Sequence, residues 1–319
     1  MTTPTKPVEV VLYNPTWPQM FEEEAALIQQ SLGENCLAVH HIGSTSVPGL
    51  AAKPIIDIVP VVRDIAQVDQ TTEKMETLGY AAKGEFGMLF RRFFQKNMPQ
   101  AAYNVHVFEE GNSEIDRHLK FRDWMRNHSE DRDAYAALKQ TLAEKFSQNM
   151  LGYCSGKDAF VAAIDVKAGA KGLRIVEALT DREWAAAKSF RQREFFDKAS
   201  IDDPYTWTFD HPDHVHLILY KGAAIVGYAH IQLWPESRAA IRIIVIDESV
   251  RNQGLGEHFL TQCERWLRTQ GRISLHTESS PAAKRFYDKQ GYTLIPFNDP
   301  DGYEGGPEDI PMGKRLVRQ

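Results

Sequence analysis

The chain has 319 residues, of which 43% are hydrophobic and 25% charged, with 21 Gly and 16 Pro that follow no period. This composition excludes collagen-like, low-complexity and disordered chains, and leaves a globular protein of about two domains at roughly 150 residues each. The net charge of −6 divides into 17 Lys and Arg against 22 Asp and Glu in residues 1–168, and 20 against 21 in residues 169–319, which excludes a general nucleic-acid surface.

Cys36, Cys154 and Cys263 are odd in number and far apart, which points to a reducing compartment rather than a disulfide framework or a zinc module. The start, MTTPTKPVEVVLY, lacks the basic flank and apolar core of a signal peptide, and no apolar run nears the roughly 18 residues of a membrane span. A cytoplasmic protein without a membrane partner is expected.

In the first half, Pro15 and Pro18 precede a predicted helix over MFEEEAALIQQSL, with acidic residues in its first turn. AVHHIG and PIIDIVPVV read as strands around a turn-rich connector, STSVPGLAAK. A helix near 64–78 follows, then strands around GYAAKG, MLFRRFFQK and YNVHVFEE, then a long helical tail over about 113–164. In that tail Leu119, Trp124, Tyr135, Leu138, Leu142 and Phe146 fall at helical intervals.

DVKAGAKGLRIV, with Gly169, Ala170 and Gly172, marks a seam that predicts domains at 1–168 and 169–319, each long enough to bury a core. The second half reads as strand LRIVEAL, helix TDREWAAAKSFRQREFF, and strands HVHLILYKG, AAIVGYAHIQLW and AAIRIIVID. Helix GLGEHFLTQCERWLRTQ, strand RISLHTE, helix PAAKRFYDKQ, and strands YTLIPF and DIPMGKRLV complete it. Both halves predict an α/β (α+β) fold with a mixed sheet and helices packed on it.

In IRIIVIDESVRNQGLGEHF a β-branched run ends in a polar loop, and Arg251-x-x-Gly254-x-Gly256 opens a helix. Glycines there let backbone N–H groups approach a ligand and the helix end adds about half a positive charge, which suits a pyrophosphate, while Arg251 adds a full charge. The same spacing also serves simply to end a strand.

The stretch resembles the acetyl-CoA motif of the GNAT acetyltransferase superfamily, R/Q-x-x-G-x-G/A. SSPAAKRFYDKQGY resembles that family's second motif, N-P-x-A-x-x-F-Y-x-x-x-G-F/Y, with Pro281, Ala283, Phe286, Tyr287, Gly291 and Tyr292 in register. The resemblance implies a splayed sheet and acetyl-CoA as substrate, its pantetheine arm pairing with backbone from Ile244 to Ile246 like an added strand. It also implies that amides of Asn252, Gln253, Gly254, Leu255 and Gly256 hold the pyrophosphate. Ser280, where the family often has Asn, would hydrogen-bond the arm, and Tyr287 would protonate or stabilise the departing thiolate. On the local pattern alone Tyr287 reads first as one more buried aromatic beside Phe286, and the resemblance reverses that order.

An amine acceptor, small molecule or protein, must lose a proton, and His230, His276 and Glu278 lie at or near strands as candidate bases, though each also suits a satisfied surface or core position. His211, His214 and His216 with Asp210 and Asp213 raise a metal reading, but their irregular spacing favours a polar loop and strand start, so no metal is expected there. The acidic loop FNDPDGYEGGPEDIP, with Asp299 and Asp301, is expected to border the acceptor pocket and favour a cationic amine.

HHIGSTSVPGLAAKPIIDIVPVV resembles the GrpB-like family pattern H-I-G-S-T-S-V-P-G-L-x-A-K-P-x-I-D, and the likeness continues through NVHVFEEG, HLKFRDWMRNH and Tyr153-x-x-x-Lys157. That family is related to polymerase-β type nucleotidyltransferases, which implies a Gly-Ser turn for a nucleotide's phosphates and a D-x-D/E strand for Mg2+. Gly43 and Ser44 form the turn, Lys53 adds charge, Asp57 sits on the following strand and His106 on a later one. Val59 occupies the second carboxylate's place, which leaves a poor Mg2+ cage. Asp57 also reads as a buried acid held by Lys53 or His41, and Arg91 and Arg92 as a phosphate clamp.

The leading expectation is an acetyl-CoA-dependent N-acetyltransferase whose GrpB-like half is accessory or ligand-binding. The alternatives are a nucleotidyltransferase or nucleotide-binding protein with a regulatory acetyl-CoA domain, and a non-catalytic acetyl-CoA sensor.

Overall fold

In the computed structural model of the chain, which describes residues 7–197, 200–302 and 305–316, helix α1 (Trp17–Leu32) opens at Trp17 rather than Met20. Pro18 sits in its first turn, where a missing N–H costs nothing and the fixed φ suits a helix. The earlier start leaves no acidic residue in that turn, so the expected dipole contact is not made.

Strands β1 (Cys36–Ile42), β2 (Ile55–Val62), β3 (Ala81–Ala82), β4 (Arg91–Asn97) and β5 (Ala102–Glu109) form a sheet of order β1-β2-β5-β4-β3. β2 and β5 run parallel, and the other neighbours are antiparallel. Alternation along β2 sends Ile56, Ile58 and Val62 into a core with Val105, Val107, Trp17 and Ile28. Val59 and Val61 fall on the other face with Phe108, and Asp57 shares their parity.

The stretch near 64–78 is a 3-10 segment (Ala66–Thr71) and a short α2 (Thr72–Thr77). The helical tail is divided into four helices: α3 (Ser113–Asn127), α4 (Ser129–Lys145), α5 (Met150–Ser155) and α6 (Asp158–Lys167). Asn112 caps α3 by accepting from Glu114 N, and Asn149 caps α5 by accepting from Gly152 N, each at 3.0 Å. Such side chains satisfy amides that an uninterrupted helix would bond itself, and His128 breaks the chain between α3 and α4 with extended backbone.

The chain divides into two compact units, Met1–Arg174 with Lys221–Ala223, and Ile175–Tyr220 with Ala224–Gln319. The second sheet has the order β11-β12-β10-β9-β8-β7-β6. Its strands are β6 (Leu173–Glu177), β7 (His214–Lys221), β8 (Ala224–Leu233), β9 (Arg238–Ile246), β10 (Ser274–Ser279), β11 (Thr293–Leu294) and β12 (Ile310–Arg315).

Helix α7 (Asp181–Arg191) starts in a capping box between Thr180 and Glu183 and runs into a π-helical turn at Gln192–Phe196. Helix α8 (Leu255–Thr269) buries Leu255, Phe259, Leu260, Cys263 and Leu267 along one face, and α9 (Pro281–Lys289) buries Tyr287. Both units are mixed α/β, as expected. Among the described residues no helix is long and apolar enough to cross a membrane.

Candidate functional site

β9 and β10 run parallel for only three positions, Arg238 with Ser274, Ala239 with Leu275 and Ala240 with His276. Beyond them β9 follows β8 to Ile246 and β10 follows β12 to Ser279, so the sheet opens into a fork. Where the strands part, Thr277 Oγ1 donates to Ile241 O at 3.1 Å. Tyr287 lies against Thr277, its ring edge-on to Phe286 and Tyr292 at 5.2 Å. Burial pushes its phenol up to about 12, with the Thr277 hydroxyl pulling the other way. Tyr287 therefore keeps its proton at neutral pH and is available as a hydrogen-bond donor.

Ile244 and Ile246 pair with Ala229 and Gly227 of β8, which leaves the other backbone edge of this part of β9 toward the fork. After Ile246 the loop turns on Asn252 and Gly254, both in the left-handed region at φ 62° and 76°, and Gly254 caps α8 with open space around it. Gln253 lies exposed between them and Leu255 anchors the helix start in the core. A Cβ at Gly256 would meet Phe286 at 3.6 Å and Ile246 at 3.8 Å, ordinary contacts, so packing inside the protein does not demand a glycine there.

Arg251 is not a free cation: its Nε donates to Ile246 O at 2.9 Å and its Nη2 pairs with Glu194 at 2.8 Å. Ser280 is exposed at the N-cap of α9, where its hydroxyl makes no capping bond.

The alternation that turns Thr277 toward Tyr287 turns His276 and Glu278 to the opposite face. Glu278 accepts the Gly305 N–H at 3.0 Å, and burial raises its carboxyl above the usual range. His276 stacks on Trp234 and shares a 3.0 Å hydrogen bond with Ser274. His230 is enclosed between His214, 2.7 Å away, and Arg191, 3.2 Å away, and its ring stacks on His216. Burial pushes His214 and His216 down to about 4 and holds His230 well below the usual imidazole range, so these imidazoles are neutral. Among the described residues no group of three or more His, Cys, Asp or Glu side chains is placed to hold a metal.

In the acidic loop Asp299 and Asp301 are held differently. Buried Asp299 pairs with Arg242, which also reaches Gln232 Oε1 at 2.8 Å, and Asp301 accepts from Gln232 Nε2 at 2.8 Å. Arg242, at the β8–β9 register shift, neutralises Asp299, whereas Asp301 stays exposed and, among the described residues, accepts only from the neutral Gln232 amide. Glu304 lies outside the described residues.

In the other unit Gly43, at φ 68°, packs so closely on the Asp57 carboxylate that a Cβ would overlap it. Asp57 Oδ1 accepts from Asn104 Nδ2 at 3.1 Å and faces His106 Nε2 at 3.8 Å, while Arg91 Nη1 lies 3.2 Å from His106 Nδ1. Asp57 is thus held by Asn104 and His106 rather than by Lys53 or His41, and His41 instead bonds Thr45 at 3.1 Å. Arg91 is tied to the carbonyls of Glu85 and Phe86, and Arg92 is bidentate on Asp69 at 2.6 and 2.9 Å, so the two do not form a phosphate clamp. Ser44 Oγ accepts from Lys139 Nζ at 2.9 Å, and Lys53 rests on Met150 and the Tyr153 ring.

Residues 7–167 match the family model described as GrpB protein. The chain belongs to the GrpB family. Residues 176–292 match the acetyltransferase (GNAT) family, so a GrpB domain is joined to an acetyltransferase domain. The UPF0157 protein YqkA of Bacillus subtilis is 42% identical over 165 residues, 52% of this chain and 48% of YqkA, so the match spans about half of that relative. The crystal structure of conserved protein GrpB from Enterococcus faecalis is 43% identical, covering 50% of this chain and 96% of that one, with a TM-score of 0.48. An acetyltransferase of the GNAT family from Staphylococcus aureus is 17% identical, covering 46% of this chain and 100% of that one, with a TM-score of 0.39.

The GrpB domain does not fit a Mg2+ site. Asp57 is the one carboxylate at the turn, Val59 is fully buried where a second would stand, and the neighbours of Asp57 offer an amide N–H and an imidazole. Sequence reasoning missed Lys139. Its signal was present, because Lys139 stands four residues after Tyr135 and three before Leu142, on the buried face of α4.

Proposed function

We propose that the chain transfers an acetyl group from acetyl-CoA directly to an amine, with the GrpB domain in an accessory or ligand-binding role. The observation that carries this reading is the fork between β9 and β10, with a protonated phenol on one face and a carboxylate of raised pKa on the other. In the transfer a C–N bond forms as the thioester C–S bond breaks; Glu278 takes the amine's proton and Tyr287 donates a hydrogen bond to the leaving thiolate. Because its pKa of about 12 exceeds the roughly 8.5 of an ordinary thiol, Tyr287 stabilises the thiolate rather than protonating it outright.

The open edge of β9 suits the pantetheine arm, and the α8 N-terminus with Gly254 and Gly256 suits the pyrophosphate. Both small amines and a protein N-terminus remain within the acceptor class.

The test follows thiol release from acetyl-CoA over a panel of polyamines, aminoglycosides, amino acids and a peptide with a free N-terminus. Tyr287→Phe is expected to lower kcat by about 10- to 1,000-fold with little change in the KM for acetyl-CoA. Glu278→Gln is expected to remove the acidic limb of the pH–rate profile. Unchanged kcat in both variants would sink these assignments.

A further inference from the structure

Around the Ser44 turn of the GrpB domain the charge balance is unusual. Lys139 is 2% exposed, yet its Nζ meets only neutral oxygens, Ser44 Oγ at 2.9 Å and the carbonyl of Ala51, with the Tyr135 ring 4.6 Å away. Lys53 and Lys157 lie over the same Tyr153 ring at 5.1 and 4.6 Å, and the other contact of Lys53 is the weakly accepting sulfur of Met150. Among the described residues none of these three lysines is in an ion pair, in contrast to Lys96, Lys120, Lys167, Lys284 and Lys314.

Burial, then repulsion from Lys157, lowers both Lys53 and Lys139, the latter to about 7, while Asp57 acts on both in the opposite sense. Asp57, already held by Asn104 and His106, is the carboxylate that acts on both Lys53 and Lys139.

Like charges gathered at a part-buried site cost folding free energy unless an anion offsets them. The half has an excess of acidic residues overall, so the lack of ion pairs at these lysines is not for want of carboxylates in the sequence. Lys139 has a third donor position beyond Ser44 and Ala51, and among the described residues the Lys53 and Lys157 heads meet no oxygen partner.

We infer that Ser44, Lys53, Lys139 and Lys157 form a binding site for a small phosphate-bearing molecule, held by ammonium groups without a metal ion. The lysines of α4 and of the α5–α6 connection supply the charge that a carboxylate-bound cation would otherwise supply, which accounts for Val59 at the second carboxylate's place. The inference is independent of acetyl transfer.

The test is calorimetric titration of the full chain in EDTA with inorganic phosphate, pyrophosphate and ATP, each up to about 5 mM, repeated with Mg2+. Expected is metal-free binding of at least one probe, weakened about tenfold or more in Lys53→Ala and in Lys157→Ala. The tightest probe separates a simple phosphate from a nucleotide. Both lysines are only half-buried, and a thermal midpoint confirms that each variant folds. Saturating CoA blocks the acetyl-transfer site, so heat that survives CoA belongs to the GrpB domain. No binding of any probe, binding that requires Mg2+, or binding untouched in the Lys53→Ala/Lys157→Ala double variant would overturn the inference.

Discussion

Gly256→Ala separates what the protein needs from what a ligand needs. An added methyl would rest 3.6 Å from Phe286 and 3.8 Å from Ile246, both at ordinary contact, and Gly256 has no left-handed φ to defend. Inside a helix, Ala is better than Gly by about 0.5–1 kcal/mol, so the variant should unfold at the same or a higher urea midpoint. If the amides at the start of α8 close on a pyrophosphate, the same methyl stands between backbone and ligand. Losing one charge-assisted contact of about 1.5–3 kcal/mol weakens binding roughly 10- to 150-fold. Isothermal titration of CoA beside urea melts measures both quantities on one preparation. A variant as stable as the parent that binds CoA equally well would refute the placement of the pyrophosphate at Gly256.

Glu194→Gln should free Arg251 and tighten CoA about two- to fivefold, the scale of a surface ion pair, while Arg251→Gln weakens it; equal affinities in all three proteins would show that Arg251 serves the loop alone. Gly43→Ala should cost at least about 2 kcal/mol, since the left-handed strain adds to overlap with Asp57, whereas Gly254→Ala, strained but in open space, should cost about 1 kcal/mol by chemical denaturation. Burial holds His41 and His216 at about 4, below the usual 6.5, so the unfolded chain takes up protons first as pH falls through that window and stability drops. Between about pH 7.5 and 5 each imidazole should remove roughly 2 kcal/mol, read from urea midpoints; midpoints that do not move, or a His216→Asn variant with undiminished pH dependence, would contradict neutral burial.

Most strands were legible because β-branched runs such as IIDIVPVV and IRIIVI are short, apolar and bounded by turn residues. The breaks inside the helical tail over 113–164 were not, because the hydrophobic period continues across them, whereas His128 takes extended backbone between α3 and α4 and Asn149 caps α5. At the fork the motifs pointed to Tyr287 and the α8 loop, but the Arg251–Glu194 pair joins residues 57 positions apart, which no local pattern announces. Pairing likewise decided the fate of the acidic loop, since Asp299 looks solvated until Arg242 is placed beside it. Lys139 was overlooked for a different reason: a lysine on an apolar helical face reads as an exception to a core pattern, and its meaning depends on Ser44, 95 residues earlier.

The three-rung pairing of β9 with β10 makes the middle of a seven-stranded sheet behave like its margin. From Arg242 to Ile246 one side of β9 has no ladder neighbour, so its main-chain groups depend on solvent or on an incoming molecule. A molecule that completes the rungs therefore does two things at once, docking for reaction and closing an interior seam. At about 100 times its dissociation constant such a molecule would add roughly 2.7 kcal/mol to the unit's resistance to unfolding. Were such a compound to bind there, the folded life of the second unit would be tied to its supply.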